Sequence, residues 1–319
     1  MLRKPPSAFL FIGFIIPFII ACTDSNLSSQ PVLESVNTQQ LLSDIKYLSS
    51  DELEGRKTGT QGNLLAQDFI KDRFSSIGLQ PVDGTYEQVF EHRNNRSGEV
   101  FENAVNLIGL IEGTSESEEY IVITAHYDHL GVRGDDIYNG ADDNASGTAG
   151  ILAIAEYFSN QKPQNNLLFI AFDAEEQGLA GAYHFVETPT ISLNQIALNV
   201  NLDMISTNFQ NELYAVGTYH YPYLKPLIEE ATAEAAIDVL FGYDSDEWSQ
   251  NWTLASDHGP FHLKGVPFIY FGVEDHEHYH QPTDVYESIN EEFFIHSVET
   301  IIDVIQNFDR NLESILTQR

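Results

Sequence analysis

The sequence predicts an α/β fold: a three-layer α/β/α arrangement on a central mixed, mostly parallel β-sheet. Three observations lead there. From residue 120 onward, short runs of β-branched and aliphatic residues alternate with stretches of helical periodicity. No repeat, low-complexity block or long Pro/Gly/Ser linker breaks residues 38–315, so they read as one domain, with residues 38–319 as the functional body. A chain of 319 residues that is 42% hydrophobic and 20% charged has ample apolar material for a large core, which excludes a disordered or fibrous protein.

The elements follow in order. Residues 1–21 begin with Arg3 and Lys4, continue into an apolar run and contain no acid, the pattern of a secretory signal. The run is too short to predict a membrane-spanning helix. Ile19-Ile20-Ala21 before the single cysteine, Cys22, resembles a lipoprotein cleavage box. The expectation is an exported, membrane-anchored lipoprotein of the bacterial envelope or periplasm, its lipid on Cys22 and residues 22–37 a flexible tether. Residues 39–47 and 62–77 carry apolar residues at helical spacing, the second stretch stopping at Gly78. Residues 85–93 and 100–111 read as paired strands around a polar turn. Strands are then expected at 120–125, 167–172, 196–202, 212–216 and 266–271, and helices at 146–158, 179–186, near 223–237 and from 291 to about 312. Glu291-Glu292 suits the start of that last helix, where negative charge is favoured.

Charge narrows the partners. Forty-eight acidic residues against 15 basic give a formal charge of −33, which repels nucleic-acid backbones and anionic headgroups. One cysteine permits no intrachain disulfide.

In parallel sheets ligands gather at the carboxyl ends of strands. Here those ends carry His126-Tyr127-Asp128-His129, Asp173-Ala174-Glu175-Glu176, Asp203 and Glu274-Asp275-His276-Glu277-His278-Tyr279-His280, with Asn139 to Gly147 lying between the first two strands. Any one of these carboxylates alone reads as a cap or a solvated turn. Converging, they would repel one another unless cations held them ionised. Imidazole and carboxylate without thiolate suit zinc and its first-row neighbours, and the size of the set suggests more than one ion. A second carboxylate beside a ligand, as in Glu175-Glu176, supplies a base.

Five motifs in order resemble the co-catalytic zinc aminopeptidases, the clan MH metallopeptidases that also include glutamate carboxypeptidases and glutaminyl cyclases. They are Ala125 to His129, Gly140 to Gly147, Ala174 to Gly178, Asn201 to Met204 and Tyr279 to Asp284. Asp51-Glu52-Leu53-Glu54-Gly55-Arg56 is also similar to bacterial members. The resemblance implies the zinc-exopeptidase fold and two zinc ions. It implies Asp142 as the bridging ligand, Glu176 and His280 completing one site and His126 and Asp203 the other. Glu175 would be the general base and acid, and Asp128 would stand behind His126 to fix its tautomer. A cis peptide is expected at Asp142-Asp143. The implied reaction is hydrolysis of the first residue from a peptide with a free amino terminus, through a hydroxide bridging the two ions.

Alternatives stay open. A glutaminyl cyclase would keep one zinc; a carboxypeptidase would need a cation for the substrate carboxylate, with Arg56 and Arg133 the candidates; a binding protein would have lost ligands. The residues preceding Ser256-Asp257-His258 hold no tyrosine to stabilise an oxyanion. His276 and His278 read as a solvated loop, and His129, His258 and His262 as pocket, core or surface residues. Residues 241–252 are candidates for the pocket wall. Oligomeric state is unreadable.

Overall fold

The helix expected over residues 39–47 runs Thr38–Leu48 (α1), where the Asn37 side chain accepts from the Gln40 amide and Leu41, Ile45 and Leu48 turn inward. Gln61–Ile77 (α2) is capped by Thr60 and closes at Gly78, whose φ of 90° lies in the left-handed region that favours glycine. This computed structural model describes residues 1–2, 36–94 and 97–319. The predicted signal segment, Cys22 and nearly all of the tether lie outside the described residues. The chain divides into Met1–Glu34 and Ser35–Arg319, and the second unit is described below.

After α2 come β1 (Gln80–Pro81), β2 (Glu87–Arg93), β3 (Val100–Ile111), β4 (Tyr120–His126), β5 (Gly131–Arg133) and β6 (Asp136–Tyr138). Then follow α3 (Gly147–Asn160), β7 (Asn166–Phe172), α4 (Ala180–Glu187), β8 (Ile196–Leu202), β9 (Glu212–Val216), α5 (Lys225–Ala231) and β10 (Asp238–Phe241). The chain closes with α6 (His258–Leu263), β11 (Phe268–Gly272), α7 (Glu291–Arg310) and α8 (Leu312–Gln318). One expectation changes. The helix near 223–237 is only α5, because the chain extends again into β10 at Asp238. The expected last helix is α7, and a further short helix, α8, follows it after Asn311, which caps one and opens the next. Glu291 and Glu292 do occupy the first turn of α7, with Asn290 accepting from the Phe293 amide.

The main sheet has the order β1-β3-β7-β4-β8-β11-β9-β10, with β2 also on β3. Its centre, β7-β4-β8-β11, is parallel, and Ile123 of β4 lies between Phe169 and Val200. The flanks are antiparallel at β3 and at β9, so the sheet is parallel where it matters for the site and mixed overall. Alternation along β4 builds two cores. Ile121, Ile123 and Ala125 pack in a cluster that includes Ile45, Phe74, Leu152 and Ile301 of α1, α2, α3 and α7. Val122 joins Phe172, Phe185 and Phe261, which bring in α4 and α6 on the opposite face. Helices therefore cover both faces, and the polar ends of β4, β7, β8 and β11 all emerge at one edge. Among the described residues, no helix is long and apolar enough to cross a membrane.

Candidate metal centre

The edge where the four parallel strands end gathers the charged motifs around a cavity of about 500 Å³. His126 ends β4; its Nε2 lies 3.4 Å from Asp143 Oδ1 and 3.4 Å from Asp203 Oδ1. Asp203 follows β8, and Glu175, after β7, brings a carboxylate oxygen within 4.8 Å of the His126 and Asp203 atoms. On the other side His280 Nε2 lies 3.0 Å from Asp143 Oδ2 and 3.5 Å from Glu176 Oε1. His129 Nδ1 lies 2.8 Å from Glu176 Oε1 and 3.7 Å from Asp143 Oδ2. Ala174, Met204 and His280, each at or beside the cavity, hold left-handed φ values of 58°, 58° and 55°, conformations uncommon for non-glycine residues.

The bridging position departs from expectation. Asp142 does not face the histidines of the two groups: its Oδ1 accepts from the Ser206 amide and hydroxyl, both at 2.7 Å, and its Oδ2 lies 2.9 Å from His276 Nε2. Asp143 instead turns one oxygen to His126 and the other to His280, so the geometry puts Asp143 where the resemblance put Asp142. Asp284 fixes the pair by accepting from both backbone amides, at 2.9 and 3.1 Å. Asn144 ties the same turn to β8, donating to the Leu202 carbonyl. The cis peptide is Asp143-Asn144, one bond later than expected. His276 is correspondingly no solvated loop residue but the partner of Asp142.

Asp128 also changes role. It stands behind His126, yet the atom within hydrogen-bond distance of His126 Nδ1 is its main-chain carbonyl, at 3.1 Å, whereas its carboxylate oxygen is 3.8 Å away. The carboxylate accepts from the backbone amides of Glu175 and Glu176, at 2.9 and 3.3 Å, and so aims that doublet. Asp173 is structural: Thr58, Asn63 and the Val105 amide all donate to it.

Arg56 is fully buried behind the centre. It donates to the main-chain carbonyls of Leu48, Tyr127, Asn139 and Gly140, clamping both ligand-bearing loops. Burial pushes its pKa down to about 10, with Asp143, Asp284 and Asp128 opposing, so it remains a cation at neutral pH. Arg133 lies over the Tyr138 ring, 4.9 Å from its centroid. Neither lines the cavity, and no lysine or arginine does among the described residues.

The remaining electrostatics are those of a site short of positive charge. Burial holds Glu175 well above the usual carboxylate range, with Glu176, Asp257 and Asp203 adding to it. Burial alone would lower His280, but Asp143 and Glu176 carry it up to about 10. Asp257 is fully buried with neither carboxylate oxygen hydrogen-bonded, and burial raises it to about 7. Glu176 Oε1 and both nitrogens of His129 are also buried without a hydrogen bond. Unsatisfied buried carboxylate and imidazole atoms facing one another fit divalent zinc.

Part of the expected wall is present: Trp252, with Leu254, Ala255, Tyr270 and Tyr279, lines the cavity, while Tyr243 stacks on Trp252 at 4.0 Å and 9° and Trp248 leans on Tyr243. Tyr279, which opens the fifth motif, has no role implied by the sequence. It stacks on His280 with centroids 3.9 Å apart, and the adjacent Tyr279-His280 pair was the signal that could have found it.

Comparison with known proteins gives the family. Residues 106–305 match the pattern of peptidase family M28. Aminopeptidase YwaD of Bacillus subtilis is 33% identical over 200 residues, 59% of this chain and 41% of that protein. The chain thus spans under half of that relative's length. The fold is similar to that of BSAP, a zinc aminopeptidase from Bacillus subtilis, at TM-score 0.68 and 20% identity over 84% of this chain and 94% of that one. It is equally similar to Porphyromonas gingivalis glutaminyl cyclase, at TM-score 0.70 and 19% identity over 85% and 98%. With the family pattern covering most of the chain and its polar residues converging on one centre, this protein belongs to peptidase family M28.

Proposed function

We propose that the chain is an aminopeptidase that removes the first residue from peptides at a two-zinc centre. The observation that carries this reading is Asp143, whose two oxygens face His126 and His280 at 3.4 and 3.0 Å, the attitude of a carboxylate shared between two ions. His126 and Asp203 would hold one zinc, Glu176 and His280 the other, with Asp143 common to both. Zinc, when bound, supplies Lewis acidity toward water and the scissile carbonyl. The protein's own groups do the rest. Glu175, aimed into the cavity by Asp128, takes a proton from the attacking water at its carboxylate and returns it to the leaving amine. The Tyr279 hydroxyl, on the cavity wall beside His280, donates to the oxygen that gains charge. Asp275, also on the wall, offers the substrate's α-ammonium a counter-charge.

The wall speaks against a carboxypeptidase, because the two candidate arginines are committed elsewhere and, among the described residues, no lysine or arginine lines the cavity to receive a substrate carboxylate. A single-zinc cyclase leaves the second half of the Asp143 contacts without a purpose. The proposed setting is an exported protein held to a membrane through lipidated Cys22; incorporation of labelled fatty acid, lost in Cys22→Ser, tests it. The reaction is tested on soluble protein beginning after Cys22 with aminoacyl anilides, matched N-blocked peptides and a Gln-peptide cyclisation assay. Cleavage confined to free-amino substrates is expected; cyclisation, or cleavage of blocked peptides alone, would overturn the reading.

A further inference from the structure

We infer that His129 is a direct metal ligand, so that the Glu176 side of the centre holds its ion with four protein groups: His129, Asp143, Glu176 and His280. The inference rests on the two-zinc reading. His129 lies three residues after His126, just beyond the end of β4, and is fully buried. Its Nδ1 lies 2.8 Å from Glu176 Oε1, and both atoms are buried without a hydrogen bond of good geometry. Two buried polar atoms in contact without a bond between them carry a desolvation cost that a shared cation removes. The nitrogen, the Glu176 oxygen and an Asp143 oxygen all lie within 4.8 Å of one another.

The ring is also seated rather than loosely accommodated. A side chain at Gly140 would place its Cβ 2.1 Å from the Asp143 carbonyl oxygen and 2.5 and 2.6 Å from His129 Cγ and Cδ2, so the bare glycine lets the turn and the imidazole pack together. His280 approaches the same carboxylates from the opposite loop, its ring centroid 5.9 Å from that of His129. The two halves of the centre are therefore unequal. One offers two imidazoles and two carboxylates; the other offers His126 with Asp143 and Asp203, leaving more room for substrate. The four-ligand half fills first and is the more selective for zinc over harder cations such as magnesium.

The test is X-ray absorption at the zinc edge on metal-free protein reloaded with zinc, together with competition against a chromophoric chelator. At one equivalent the first zinc should show two imidazoles, and at two equivalents the average should be about one and a half. His129→Ala should lower both counts and weaken the first zinc by more than about a hundredfold, beyond the loss typical of a residue that only orients a ligand. Two zinc ions with one imidazole each in the unaltered protein would overturn the His129 assignment while leaving the two-zinc reading intact, and this outcome needs no variant to fold. Failure to bind a second zinc would overturn both.

Discussion

Asp142 and Asp143 are adjacent, both buried and chemically identical, yet the fold surrounds them with opposite things. Asp142 meets donors: the Ser206 amide and hydroxyl and the His276 ring. Asp143 meets histidines on two sides, and its neighbours include a carboxylate oxygen with no hydrogen bond. Asp142 is finished by the protein; under the two-zinc proposal, Asp143 is left for cations to finish. A motif identifies the turn, and the distribution of donors decides which carboxylate in it works.

The comparison can be broken most severely at Asp143. Asp143→Ala should lower kcat/KM for an aminoacyl anilide by a factor of about a thousand or more, since it removes the group that the two-zinc proposal shares between both ions. Glu175→Ala should abolish turnover to a similar degree, with zinc content unchanged if its role is proton transfer. Asp142→Ala belongs to the other class. It leaves Ser206 and His276 unpaired, so thermal or denaturant unfolding should register a loss of about 1–3 kcal/mol. Its effect on turnover should be far smaller than that of Asp143→Ala.

A smaller effect sharpens the contrast between a working and a structural imidazole. His258 is fully buried between Phe268 and Tyr270, with Nε2 on the Trp252 carbonyl. Burial lowers its pKa from 6.5 to about 4. The unfolded chain therefore binds the proton more readily, and the stability His258 contributes is complete above pH 6.5 and lost as pH falls toward 4. The full difference amounts to about 3 kcal/mol. Denaturant unfolding of His258→Phe across that window should show a flatter pH dependence than the unaltered protein.

Much of the fold was legible because its signals are local. The apolar runs of β4, β7 and β8 are buried on both faces, and α2 announces its end with Gly78. Elements that lack such signals escaped. β10 is a half-exposed edge strand, β5 and β6 are three-residue strands outside the main sheet, and α6 contains Gly259-Pro260, a poor helical pattern that tertiary packing of Phe261 overrides. In the site, His126, Glu175, Glu176, Asp203 and His280 converge as the motifs implied. The choice between Asp142 and Asp143 was not legible, because it depends on Ser206 and His276, both more than sixty residues away in the chain. Arg56 misled for the same reason. Four main-chain carbonyls consume its donors, and no spacing in the sequence reports a carbonyl.

Zinc content per chain, measured by elemental analysis on the soluble protein and on its Asp142→Ala and Asp143→Ala variants, tests the centre most directly. The shared role of Asp143 predicts about two zinc ions in the unaltered protein and in Asp142→Ala, and one or none in Asp143→Ala. Loss of zinc from Asp142→Ala with retention of both ions in Asp143→Ala would contradict it.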